Sequence, residues 1–233
     1  MANLRKKDQW ITYAKGLHDG KSIRACAKDC GIAVPTSFRW RHRFLKAATT
    51  DKPTKLHGIT EADETYILES RKGSRELSRP ARKRGGKATK RGISSEQIPI
   101  LVARDRFGRT TDGVLPDFSA KSIKLLIGGV VTKENVVCID GGNALWGFVN
   151  SQSIPYKLIP SDKFIHEKEP LFHVQNVNAY HSRFKQWMQR FNGVATKYLP
   201  SYLGWRRILE HPDKLTSPAR MVSGALGRRL YQQ

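Results

Sequence analysis

The sequence predicts a mixed α/β domain preceded by a small helical unit. Two observations lead there. Beyond residue 58 the apolar patterns run strand, paired strands, helix, strand, helix, strand, helix, an order that fits mixed α/β architecture. Before residue 48 apolar residues recur only at helical spacing, interrupted by turn-forming glycines and a proline.

The elements follow in order. Trp10, Tyr13, Ala14 and Leu17 predict a helix over 8–17. Ser22 is a natural N-cap for a second helix over 23–30, and Gly31 stops it. Pro35 opens a third helix running to about residue 46. Helix, glycine turn and helix form the helix-turn-helix pattern, so 1–47 is expected to bind DNA. Val34, Phe38 and Leu45 are expected on the core side of the third helix, and Thr36, Arg39 and Arg43 on a groove-reading side. Residues 48–58, with Pro53 and Gly58, read as a linker.

The α/β domain is expected over 59–209. A strand spans 59–68. Residues 71–91 then hold ten Lys or Arg against one acid, with no apolar periodicity, and read as a loop. In that loop Arg82, Lys83, Arg84 and Lys87 are the expected contacts to backbone phosphates. Strands over 97–104 and 110–115 flank a hairpin turn at 105–109. Ser119 caps a helix reaching Gly128, and 135–140 is a continuous apolar strand of the kind found centrally in sheets. A helix over 143–152, a strand over 154–159, a long helix over 174–191 and a last helix over 198–209 complete the domain. Residues 210–233 show no pattern that assigns an element and are set apart as a C-terminal tail.

Charge narrows the function. The 233-residue chain carries 42 Lys and Arg against 20 Asp and Glu, a formal net charge of +22. Such an excess favours a polyanionic partner, above all nucleic acid. No apolar run is long enough to span a membrane, and the N-terminus lacks the apolar stretch of a signal peptide. Three cysteines argue against a disulfide framework and for a reducing compartment. Cys26 and Cys30 lack a second ligand pair, so they read as buried thiols rather than a zinc site.

Within this basic chain, acids stand at informative places. Asp63 lies in the first strand, and Asp140 closes the central one. Asn178 and Lys185 are seven residues apart, hence on one face of the long helix. Two carboxylates and an amide oxygen suit a hard divalent ion, and two such ions can promote phosphodiester cleavage. Lys185 is placed to reach a phosphate held there. His173 and His181 are read as structural or DNA-contacting.

Five stretches carry a family resemblance. They are 62–66 around the first acid, 98–106, 138–141 around the second acid, 173–185, and 36–45 in the helical unit. Together they resemble DDE-type transposases of bacterial insertion sequences, in particular the ISXO-two-like group of the RNase H and retroviral-integrase superfamily. The resemblance implies an RNase H-like mixed sheet. It implies an enzyme that binds the terminal inverted repeats of its element, nicks them to free 3′-hydroxyls, and joins these to target DNA. It implies Asp63, Asp140 and Asn178 as ligands of two Mg²⁺ (or Mn²⁺) ions, with Lys185 as a phosphate contact. Double-stranded DNA would be the partner, the enzyme a homo-oligomer, and the place the prokaryotic cytoplasm at the nucleoid. Two departures stand out. Asn178 replaces the usual Glu, although some members of the group pair an Asn with a following Lys. The four-cysteine zinc ribbon that many members carry ahead of the helix-turn-helix is not in this sequence. These motivate the alternative of an inactive or domesticated transposase acting as a DNA-binding protein. A nuclease of the same fold and a basic RNA-binding protein are the further rivals.

Overall fold

The computed structural model describes residues 6, 8–77, 79–82, 86–90, 93–160, 165–166, 168–211 and 217–227. In chain order the helices are α1 (Gln9–His18), α2 (Ile23–Asp29), α3 (Val34–Thr50), α4 (Ala120–Ile127), α5 (Asn143–Ser151), α6 (Gln175–Gln189), α7 (Leu199–Leu209) and α8 (Pro218–Ala225). The strands are β1 (Ile59–Leu68), β2 (Gln97–Asp105), β3 (Thr110–Val114), β4 (Val136–Ile139) and β5 (Tyr156–Leu158). No described helix is long and apolar enough to cross a membrane.

The strands form one sheet in the order β3-β2-β1-β4-β5. β1, β2 and β3 are antiparallel, while β4 and β5 run parallel to β1. This is the RNase H-like arrangement. Alternation along β1 divides its side chains between two faces. Ala62, with Leu101, Ala103, Val137 and Ile139, packs into a core built with Ile123, Ile127, Leu145 and Phe148 of α4 and α5. Glu61, Asp63 and Thr65 point the other way, where α6 packs on β1 and β2. The Tyr180 hydroxyl fixes α6 by donating to Asp112 Oδ2 at 2.8 Å. The turn between β2 and β3 is held by Asp105, whose Oδ1 accepts from the backbone N–H of Phe107 and Arg109.

The chain divides into two compact units, residues 53–200 and residues 1–52 together with 201–233. This corrects the expected boundaries: α7 from Ser201 onward and the supposed tail belong with the N-terminal helices. α8 packs against α1 and α3. In α7, Trp205 is fully buried and donates from its indole to the Leu17 carbonyl. The buried Arg207 donates to the carbonyls of Ala48 and Asp51. A Cβ on Gly204 would stand 2.3 Å from the Ala48 carbonyl oxygen, so only glycine permits this approach. The short α8 was illegible because eight residues with one apolar stripe make a weak periodic signal.

The helical unit also corrects the expected core face of α3. Val34 and Phe38 are exposed, at 45% and 37%. The buried side is Ser37, Arg41, Phe44, Leu45 and Ala48. A buried arginine was not readable from hydropathy. It is tolerated because Arg41 lies 5.0 Å over the Trp205 ring and donates to the Lys21 carbonyl.

Candidate active site

The site begins with strand register. β1 and β4 are paired so that Glu61 faces Cys138. Two residues further, the same register sets Asp63 beside Asp140, on the face that α6 covers. Glu64 starts on the opposite face, and its longer side chain still reaches the pair. Asp63, Glu64 and Asp140 each offer a carboxylate oxygen, all within 4.8 Å of one another.

Three like charges this close repel. Two unit charges 4.8 Å apart interact by roughly 3 kcal/mol at an effective dielectric near 20. Burial, then Asp140 and Glu64, push the Asp63 carboxyl up to about 7. Burial and Asp140 raise Glu64 as well. Glu64 Oε2 is buried and accepts no hydrogen bond. A crowded set of hard oxygens with an orphaned acceptor fits a divalent cation such as Mg²⁺ or Mn²⁺, which relieves both defects.

α6 supplies the remaining wall. His181 is buried, with Nδ1 3.5 Å from Asp63 Oδ2. Burial and the nearby Lys185 charge push its pKa down to about 3, so the imidazole is neutral. His181 thus neighbours Asp63 without forming an ion pair. Asn178 lies one turn before His181 and Lys185 one turn after, so the three make one stripe. The half-buried Asn178 therefore shares the helix face that meets Asp63. Lys185 is exposed, and its charge lowers the Asp63 pKa in opposition to the acids.

The sequence model of the ISXO2-like transposase domain matches residues 55–206. The chain belongs to this transposase family. No curated protein sequence matches it. Among solved structures, a simian T-cell lymphotropic virus intasome in complex with PP2A regulatory subunit B56 gamma is similar at 11% identity and a TM-score of 0.38, covering 84% of this chain and 68% of that one. A pre-cleavage Mos1 transpososome is similar at 11% identity and a TM-score of 0.32, covering 99% and 81%. The Mos1 mariner paired-end complex with Mn is similar at 11% identity and a TM-score of 0.29, covering 94% and 79%. The family assignment rests on the sequence match.

Two acids of this transposase domain escaped the sequence reading as site members. Glu64 was not singled out beside Asp63. Glu61 is fully buried, and its carboxylate accepts from Asn176 Nδ2 at 2.9 Å and from the Val177 backbone N–H at 2.8 Å. Arg106 is its ion-pair partner, and His173 Nδ1 lies 3.4 Å away. Glu61 therefore caps the start of α6 and sets how α6 meets β1. A signal was available: Glu61 and Asp63 share strand parity, so both had to face the same layer.

The expected DNA contacts fare differently. Arg39 is exposed, and Thr36 is half-buried. Arg43 is exposed, lying 5.1 Å over the Trp10 ring with Nε donating to the Ala225 carbonyl at 3.4 Å. Arg82 pairs with Glu96 at 2.7 Å. Lys87 is exposed. Lys83 and Arg84 lie outside the described residues. The basic segment is gathered around the two acids that flank it: Glu69 meets Arg71 and Arg79, and Glu96 accepts from Arg82 and Thr89. The hydrogen bond from Arg82, then that from the Thr89 backbone, hold Glu96 down to about 2.

Proposed function

We propose that this transposase domain cleaves DNA at the ends of its element and joins the freed 3′-hydroxyls to target DNA. The observation that carries the reading is the carboxylate cluster on β1 and β4, closed by the α6 stripe, in a chain of net charge +22. Asp63, Asp140 and the Asn178 amide oxygen would hold two divalent ions, and Glu64 stands ready as a further oxygen donor. Bound there, such ions activate the attacking oxygen and offset charge on the leaving oxygen. The residues of the chain do the rest. Glu61 fixes α6 so that its stripe meets Asp63. His181, neutral and buried, walls off solvent without competing for the acids. Lys185 holds a non-bridging phosphate oxygen beside the cluster. Thr36, Arg39 and Arg43 would read the groove, and Lys87 and its neighbours would bind backbone phosphates of double-stranded DNA. Joining two DNA ends in one event requires at least two copies of the chain.

The test is metal-dependent nicking of DNA carrying the terminal repeats that flank the reading frame. Wild type should nick with Mg²⁺ or Mn²⁺ and then join the product to a target. Asp63→Ala and Asp140→Ala should abolish nicking while still retaining DNA on a filter. Equal nicking by either variant would overturn the catalytic assignment and leave a DNA-binding protein.

A further inference from the structure

We propose that His181 is a ligand of the divalent ion on the α6 side of Asp63, sharing it with the Asn178 amide oxygen. This deepens the reading above, on which it rests for the presence of the ion.

His181 is 6% exposed, yet its imidazole is not committed to the fold. Nε2 has no hydrogen-bond partner among the described residues. Nδ1 stands 3.5 Å from Asp63 Oδ2, beyond the usual range of about 2.7–3.2 Å for an N–H···O hydrogen bond. A buried polar group left unmatched costs about 1–3 kcal/mol. Neighbouring positions on the buried face of α6 show the ordinary solutions. Val177 and Phe184 are apolar, and Tyr180 gives its hydroxyl to Asp112. Packing alone would be served better by an apolar ring at 181, so the nitrogens need another reason.

The place of the ring supplies it. On the sheet side, Asp63 gathers with Glu64 and Asp140, and His181 is not a member of that set. On the helix side, His181 Nδ1 is the donor that faces Asp63. An ion between Asp63 and α6 is therefore distinct from one held by the three acids. Two ligand atoms, each about 2.1 Å from one ion, lie about 3.0 Å apart in an octahedral shell and about 3.4 Å apart in a tetrahedral one. The observed 3.5 Å needs only a small inward movement to match.

Asn178 and His181 are three residues apart on α6, hence neighbours on one face. A carboxylate and an imidazole at this spacing let a single helix offer two ligands to a metal centre. Here an amide stands at the carboxylate's position. It carries no charge, so alone it holds a hard ion weakly, and the imidazole adds the missing donor strength.

The experiment loads the full chain with Mn²⁺ and records pulsed electron paramagnetic resonance, which detects a nitrogen bound directly to the ion. Continuous-wave spectra of the free ion give the affinity. Wild type should show the modulation of a bound imidazole nitrogen. His181→Gln and His181→Phe should lose it and weaken one Mn²⁺ site by at least about 10-fold, since even an outer-shell partner typically contributes that much. Asp63→Asn should lose the modulation too, because the same ion needs both residues. The ligand assignment is overturned if wild type shows no nitrogen modulation. Modulation that persists in a His181 variant with wild-type circular dichroism would overturn it as well. Should both His181 variants lose native structure, Asp63→Asn decides: modulation that survives there belongs to another histidine and defeats the proposal. Nicking by the same wild-type preparation separates the two readings. Nicking without a bound nitrogen defeats the ligand alone, and a bound nitrogen without nicking defeats the catalytic reading alone.

Discussion

Glu61 and Asp63 stand two residues apart on one strand and one face, yet their surroundings are opposite. Glu61 is buried among donors: Arg106, the Asn176 amide and the Val177 backbone N–H. Asp63 is set among acceptors: Asp140 and Glu64, with a neutral histidine at its side. Two carboxylates on one strand thus have different uses. One is satisfied within the protein and orients a helix. The other is left crowded, the arrangement that functional sites use to hold a cation. Arg82 and Lys87 repeat the contrast with cations, one engaged by Glu96 and one exposed.

Each side of that comparison can be broken separately. The largest effect should come from Glu61→Ala, which removes the carboxylate partner of Arg106 and uncaps α6. It should cost about 3–5 kcal/mol, as removing one partner of a buried pair does, read by thermal or urea denaturation. A change under about 1 kcal/mol, the scale of an exposed ion pair, would show that Glu61 does not organise the α6 interface.

Next comes Asn178. Asn178→Leu should lower nicking roughly 10- to 100-fold, while Asn178→Asp keeps or raises it by adding charge at the same reach. Circular dichroism on both variants guards against a folding effect. Wild-type nicking by Asn178→Leu would make Asn178 an ordinary helix residue.

Asp63→Asn should do the reverse of Glu61→Ala for stability. It removes one of three repelling charges, so the metal-free thermal midpoint above neutral pH should rise by roughly 2–8 °C. The sign follows from the raised pKa. A carboxyl that titrates at about 7 when folded favours the folded state while protonated, and that advantage fades as pH climbs from its ordinary range through 7. Added Mn²⁺ should stabilise wild type more than Asp63→Asn, and more at high pH than at low. A lower midpoint for Asp63→Asn would mean the cluster is not strained.

The smallest effect concerns the basic segment. Lys87→Ala should flatten the salt dependence of DNA binding by about 0.9 in the log–log slope, one phosphate's worth. Arg82→Ala should leave that slope nearly intact and instead loosen the segment around Glu69 and Glu96, seen as faster proteolysis between β1 and β2. An unchanged slope for Lys87→Ala would remove the segment from the DNA interface.

What was legible follows the same physics. β1 runs over the expected 59–68, between the breaker Gly58 and the start of the basic segment. Asp140 stood out because it ends an apolar strand where a charge is conspicuous, whereas Asp63 shares β1 with Glu61 and Glu64 and was singled out through the family resemblance. Glu64 was not legible, since its part in the cluster depends on strand register and side-chain length. Glu61 was missed because its partners, Arg106 and Asn176, come from distant sequence. The helical unit was half legible. α1, α2 and α3 announce themselves, but the burial of Arg41 was not readable because Trp205, which covers it, arrives 164 residues later in the chain. The bond from Arg43 to the Ala225 carbonyl was illegible for the same reason, since that carbonyl belongs to α8.

The most direct test of the account is anomalous diffraction from crystals of the full chain soaked in Mn²⁺ above neutral pH. The account predicts an anomalous peak between Asp63 and Asp140, with the Asn178 amide oxygen or a Glu64 oxygen in its coordination shell, and no ion at Glu61. A saturated soak that leaves the Asp63–Asp140 cluster without a peak would contradict it.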